Sequence, residues 1–356
     1  MVCTAMNGLS YTRAMNLGKT QIVSGVLWRA AFALGAAAVI GGCSPVTFSV
    51  TLGEGDRPLR ESPVLAEHEG PSKVVMIEVQ GLIADARVPG LLSSGANPVD
   101  EVVARLQRAE RDASVRAILL RINSPGGTVT GSDVLYRELR AFRERSGKPI
   151  VVSMSEIAAS GGYYTALAGD HIVANPTTIT GSIGVIIPTF NFSGGMNRLG
   201  IVARSIKSGA NKDLANPFEP MREGQYEVLQ TMVDEFYARF KNLVVERRPK
   251  LKASDVADAT DGRVFSGVHA QSIGLVDEIG GIPEAFAAAK RLAGVERAKL
   301  VQYTPEGSPR PRTAYAEAPA TAGGMNLLQL NVPAGISTMQ FNTSGVYYIW
   351  IPPAAM

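Results

Sequence analysis

The sequence predicts an α/β fold with a mostly parallel sheet, and three observations carry that expectation. Short apolar strands alternate with segments of helical periodicity, the pattern of strand–helix–strand units. Ala117-Ile-Leu-Leu-Arg-Ile122 reads as a buried strand between two such segments. The glycine-rich Ser124-Pro-Gly-Gly127 follows at that strand's carboxyl end, where α/β folds place ligands.

Taken in order, the Gly/Pro/Glu-rich residues 44–72 read as a linker and Lys73-Val-Val-Met-Ile-Glu-Val79 as the first strand of a body spanning residues 73–303. Val99, Val102, Val103, Leu106 and Ala109 fall at helical spacing. Asn123-Ser-Pro-Gly-Gly127 is expected to be a turn. A helix over about 131–144, a strand at Pro149-Ile-Val-Val-Ser153, a second helix entered through Ile157-Ala-Ala-Ser-Gly-Gly162 and a strand at His171-Ile-Val-Ala174 follow. Tyr226, Leu229, Val233, Phe236, Phe240 and Leu243 form the apolar stripe of a long helix that stops before Pro249, read as core or oligomer packing. Residues 304–356 are a Pro/Ala/Gly-rich tail ending in the apolar strand Val346-Tyr-Tyr-Ile-Trp-Ile351. Nothing local assigns the tail a role; plugging, capping or extending an assembly all stay open.

Composition excludes several classes. Net charge is only +3 and Lys and Arg are scattered, so nucleic acid is not an expected partner. The two cysteines, Cys3 and Cys43, cannot staple the body, and His68, His171 and His269 share no metal-ligand spacing. No cofactor or metal is implied. The 46% apolar content is enough for a real core.

The first 43 residues read as a signal peptide. Arg13, Lys19 and Arg29 precede an uncharged run from Ala30 to Gly42, which is short for a membrane-spanning helix. Ile40-Gly41-Gly42-Cys43 resembles a bacterial lipobox, whose cysteine becomes the lipidated first residue. A multiply acylated Cys43, or else an uncleaved anchor, would tether the body outside the cytoplasm at the membrane.

Ser160 lies between Ala159 and Gly161-Gly162 at a strand-to-helix junction, where small neighbours let a carbonyl approach its hydroxyl. An N-cap serine would look the same. No Gly-x-Ser-x-Gly elbow is present, and His171 sits in an apolar strand, so a histidine base has no candidate. A lysine in a dry site can take a serine proton instead, because burial disfavours its charged form. Ile206-Lys-Ser-Gly-Ala-Asn-Lys-Asp213 offers Lys207 and Lys212, and the local sequence does not choose between them.

Together, Arg121-Ile-Asn-Ser-Pro-Gly-Gly127, Ala158-Ala-Ser-Gly-Gly-Tyr-Tyr164, Thr180-Gly-Ser-Ile-Gly-Val185, Lys207-Ser-Gly-Ala-Asn-Lys-Asp213 and Asp261-Gly-Arg-Val-Phe-Ser-Gly267 with Gly274-Leu-Val-Asp-Glu278 resemble the S49 serine peptidases in their short, signal peptide peptidase A form. The resemblance implies a ClpP/crotonase-like fold of repeated β-β-α units. It implies Ser160 as nucleophile, Lys212 as general base, Ser182 orienting the lysine amine, and backbone amides of Gly127 (or Gly126) and Gly161 as oxyanion hole; Lys207 is the second choice for base. It also implies peptide substrates, remnant signal peptides among them, and ring- or dome-shaped homo-oligomers in which neighbours share a site. Two other readings use the same fold: a crotonase-type acyl-CoA enzyme, which needs no serine–lysine pair or export signal, and an inactive membrane scaffold, which has no reason to keep Ser160, Ser182 and Lys212 together.

Overall fold

A computed structural model describes residues 58–65, 70–86, 97–316 and 346–350. The predicted signal segment with Cys43, most of the linker and the larger part of the tail lie outside these residues. The described elements are β1 (Leu59–Leu65), β2 (Lys73–Ile83), α1 (Pro98–Arg111), β3 (Val115–Thr128), α2 (Val129–Ser146), β4 (Ile150–Ala159), α3 (Gly161–Ala166), β5 (His171–Ala174), β6 (Ile179–Gly181), α4 (Ser193–Arg198), α5 (Glu223–Arg247), α6 (Val256–Ala259), β7 (Val264–Ser266), α7 (Gly267–Ser272), β8 (Glu278–Ile279), α8 (Ile282–Leu292), β9 (Lys299–Pro305) and β10 (Tyr347–Ile349).

The strands form one sheet of mixed but mostly parallel character. Its main path is β1-β9-β2-β3-β4-β5-β8, with β6 and β7 appended beyond β4 and β10 paired to β3. β2, β3, β4, β5 and β8 run parallel, as does β9 against β2. Only β1, β7 and β10 pair antiparallel.

Both faces of the central strands are covered, which is why those strands read as continuous apolar runs. Along β3, Ile118, Leu120 and Ile122 face one cluster, built with Leu106 of α1, Leu135, Leu139 and Phe142 of α2 and Phe240 of α5. The alternate residues Ala117 and Leu119 face a second cluster with Ile282, Ala285, Phe286 and Ala289 of α8. The period of two along a strand divides one sequence between two cores. Glu78 and Arg121, on adjacent central strands, sit in register and bond at 2.6 Å with little exposure.

The expected turn at Asn123–Gly127 is instead the bulged end of β3. Leu82 and Ile83 of β2 continue to pair with Gly126 and Gly127 after register shifts in the ladder. Ser124 absorbs the bend: its Oγ donates to the Gly81 carbonyl at 2.6 Å and accepts from the Gly126 amide at 3.0 Å. Gly126 takes φ +110°, and a methyl group on Gly127 would sit 1.8 Å from the Ile83 carbonyl oxygen. Both glycines are therefore fixed by backbone geometry.

The long helix differs along its length. Phe240 and Val244 of α5 are buried, while Tyr226 and Val228 near its start are exposed. Residues between β6 and α5 form an arm stitched to itself, with the Phe192 amide on the Pro217 carbonyl and Ser205 on Glu219.

Candidate active site

β4 ends at Ala159, which pairs with Gly181 at the end of β6. The next residue on each strand is a serine, so Ser160 and Ser182 emerge side by side at the carboxyl edge of the sheet. Neighbouring strands stand about 4.8 Å apart, within reach of a shared contact. Both serines have positive φ, +52° and +49°, unusual for residues other than glycine.

Hydrogen bonds hold that geometry. The Ser160 amide donates to the Gly181 carbonyl at 2.8 Å, and the Ser182 amide donates to the Arg263 carbonyl at 2.8 Å. Arg263 immediately precedes β7, which lies antiparallel to β6. Phe265 packs closely under Gly181, where a Cβ would approach its ring to 2.7 Å. The Asp261–Gly267 motif thus acts as a brace for Ser182, a role that its sequence alone did not disclose.

Ser160 is 1% exposed and its Oγ has no hydrogen-bond partner. Its side chain does not cap α3, so the structure does not use it as the N-cap serine that its position suggested. A buried hydroxyl without a partner is rare enough to require a reason.

Gly161, Gly126 and Gly127 converge beside it. A methyl group on Gly126 would lie 2.7 Å from the Gly161 amide nitrogen, and one on Gly161 would lie 3.0 Å from the Gly127 amide nitrogen. The amide of Gly161, in the first turn of α3, has no intrahelical partner. Two backbone donors approaching one point suit an oxygen that gains negative charge. Ser132, whose Oγ donates to the Thr128 carbonyl at 3.0 Å, closes the space behind Gly161.

Lys212 is elsewhere. It lies on the exposed arm, in a turn where its amide bonds to the Gly209 carbonyl at 3.2 Å, and its side chain meets no carboxylate among the described residues. Lys207 pairs with Asp213, and this contact holds the Asp213 carboxyl below its usual range. Gln225 donates to the same carboxylate at 3.0 Å. Of the two lysines, Lys207 is thus committed to an ion pair and Lys212 is free. His171 meets Glu278 at 2.9 Å between β5 and β8, away from this corner. The structure therefore gathers Ser160, Ser182, Gly126, Gly127 and Gly161, leaves Lys212 apart in the single chain, and does not describe Cys43.

Comparison with known proteins gives the family. The family model described as "Peptidase family S49" matches residues 142–296. That span takes in Ser160, Gly161, Ser182 and Lys212 and begins after Gly127. The chain is 34% identical over 239 residues to a putative signal peptide peptidase SppA of Enterococcus faecium, covering 67% of this chain and 69% of that one. It is 38% identical over 198 residues to a putative protease of Methanocaldococcus jannaschii, over 56% of this chain and 63% of the relative. It is 34% identical over 253 residues to Protease 4 of Haemophilus influenzae, over 70% of this chain but 40% of that longer one.

Proposed function

The chain belongs to peptidase family S49, a family of serine endopeptidases, and from that premise we propose that Ser160 and Lys212 form its catalytic dyad, completed between neighbouring copies in a homo-oligomer. The observation that carries this reading is the buried, unpartnered hydroxyl of Ser160, aligned with Ser182 and facing the glycine amides. A hydroxyl in that state is missing a partner, and the unpaired lysine of the same family motif stands on an arm rich in exposed apolar residues. An arm from the next copy would bury those residues and deliver Lys212 to the gap.

The chemistry is acyl transfer. Uncharged Lys212 Nζ takes the Ser160 proton as Oγ attacks the scissile carbonyl carbon. Ser182 Oγ accepts a hydrogen bond from the amine and fixes its direction. The amides of Gly127 and Gly161 hold the oxyanion. The lysine then protonates the leaving amine, and water activated by the same amine hydrolyses the acyl-serine.

The proposed substrates are extended apolar peptides, remnant signal peptides among them, bound by strand addition along the sheet edge. The relative named for signal peptide peptidase activity supports this class. Anchoring through lipidated Cys43 on the outer side of the cytoplasm rests on the lipobox-like Ile40–Cys43. Among the described residues no helix is long and apolar enough to cross a membrane.

Casein digestion tests the dyad. Ser160→Ala and Lys212→Ala should each lose about 10³-fold or more in activity while remaining folded. Mixing the two inactive chains and allowing exchange should restore roughly a quarter of wild-type activity, because in a head-to-tail ring one site in four joins an intact serine to an intact lysine. Two dead variants that never complement would place the dyad within one chain. An active Lys212→Ala beside a dead Lys207→Ala would reverse the choice of base. Cys43→Ala should shift the protein out of the membrane fraction; unchanged fractionation would remove the lipid anchor.

A further inference from the structure

The turn that carries Lys212 is tied down on both sides of that residue. Its amide meets the Gly209 carbonyl at 3.2 Å, and the Leu214 amide meets the Asn211 carbonyl at 3.4 Å. Ala215 closes the run with φ +59°; among the described residues the other non-glycine residues with positive φ are Ser160 and Ser182. Backbone of this kind persists where its surroundings over-determine it, and here the start of α5 supplies them. Gln225, in the first turn of α5 and 5% exposed, donates to the Ala210 carbonyl at 3.2 Å and to the Asp213 carboxylate at 3.0 Å. The Arg222 guanidinium donates to the same Ala210 carbonyl. The Gln225 side-chain oxygen accepts from the Arg222 amide at 3.2 Å, which fixes the direction of its NH2 group. One side chain thus holds the chain two residues before Lys212 and one residue after it.

The other end of that helix is in the core, where Phe240 and Val244 are buried. Helical rise places Gln225 roughly 22 Å along the axis from Phe240, so α5 is a strut that carries the turn out from the sheet. Asp213 is the immediate neighbour of Lys212 and bears the opposite charge. Left to itself, its carboxylate would be the nearest partner for the Lys212 ammonium, and an opposite charge within about 4–6 Å favours the charged amine. A charged amine cannot take the serine proton. Both carboxylate oxygens are occupied instead, Oδ1 by Gln225 and Oδ2 by Lys207. The other charges around the turn are Arg222, 3.9 Å from the same Oδ1, and Glu219, which the Ser205 amide and hydroxyl hold at 2.6 and 2.8 Å.

We propose that Lys207 and Gln225 are positioning residues for the base: together they saturate the Asp213 carboxylate, so that Lys212 leaves its turn unpaired by its own neighbour and aimed from the end of α5. This rests on Lys212 being the base, and it gives the other lysine of the motif a task distinct from proton transfer. Lys207 acts through Asp213 rather than on the serines. It keeps its own charge so that Lys212 is able to lose one. The arm therefore brings to the serine corner a lysine whose adjacent carboxylate has already been neutralised within the same turn.

The test uses the full chain and fluorescein-labelled casein over a range of pH, with molar mass by light scattering and Tm measured beside it. Lys207→Met should stay folded and assembled, lose about 10-fold in kcat at neutral pH with little change in KM, and regain activity at higher pH, because the freed carboxylate then competes for Lys212. Lys207→Arg should keep both the activity and the pH profile of the wild type. Adding Asp213→Asn to Lys207→Met should return the pH profile to its place and recover most of kcat, since no stray carboxylate remains. Gln225→Ala should lower kcat by about 10-fold or more through a looser turn, with the pH profile unmoved because Lys207 still holds Asp213. Lys207→Met with the kcat and pH profile of the wild type would overturn the proposal. So would a loss that Asp213→Asn does not mend, or one that comes with a fall in molar mass or Tm, since Lys207 would then serve only the arm's shape. A Lys212→Ala chain that digests casein normally would instead remove the base assignment on which this proposal stands.

Discussion

The surroundings of Ser160 and of Lys212 are built on opposite terms. Ser160 is 1% exposed, follows a strand buried on both faces, and has its backbone pinned to Gly181. The arm of Lys212 exposes Leu199 at 77%, Val202 at 71% and Ile206 fully, together with Phe190, Phe192 and Phe218. Its internal ties, such as Lys207 with Asp213 and Ser205 with Glu219, fix the arm's own shape without joining it to the serine corner. The proposed nucleophile and its donors are thus organised within one chain, whereas the proposed base is carried on a surface rich in exposed apolar side chains. On the proposed reading a half-site and its missing half occupy one sequence, and a second copy would supply the fit.

The largest break in that contrast comes from the arm. Leu199→Glu with Val202→Glu should dissociate the oligomer, seen as a fall in molar mass by light scattering, and should lower casein digestion by about 10²-fold or more, the scale of a misplaced catalytic group. The Tm should barely move, because neither side chain is in the core. Retained assembly and activity would show that the arm serves some other contact.

Ser182→Ala should leave the fold and the oligomer intact and lower kcat by about 10²-fold through loss of the amine's alignment. Ser182→Thr should recover part of that loss, which a structural role alone would not produce. The smallest effect should appear at the corner itself. Ser160→Gly relieves a positive φ that a non-glycine residue holds at about 1–3 kcal/mol, so the inactive variant should melt higher than the wild type. In the arm, Gly209→Ala relieves no such strain, meets nothing within 4 Å and should raise Tm only slightly, through the lower entropy of the unfolded chain.

Much of the corner was legible because its signals are local. Ser160 and Ser182 each sit in a short glycine-bearing motif at a strand end, and the alternation of apolar strands and helices gave the parallel sheet. What escaped depended on long separations. Ser124-Pro-Gly-Gly127 looked like a turn because proline and glycine usually make one; pairing with Leu82 and Ile83 of β2, Ala158 of β4 and Tyr348 and Ile349 of β10 keeps it in the sheet. No pattern in Val346–Trp350 indicated that it would return across more than two hundred residues to lie on Gly126 and Gly127. Likewise, Lys212 and Lys207 are equivalent in sequence until Asp213 claims one of them.

The carbonyl of Arg263 that seats Ser182 lies about a hundred residues beyond Ser160 in the chain. Closure of so long a loop is slow relative to local helix and hairpin formation. A ribosome that has threaded out Ser160 has still to make the brace of Ser182, so the nascent polypeptide spends that interval without an aligned pair of serines. On the proposed reading, catalytic competence is thereby deferred until the chain has been synthesised through β7.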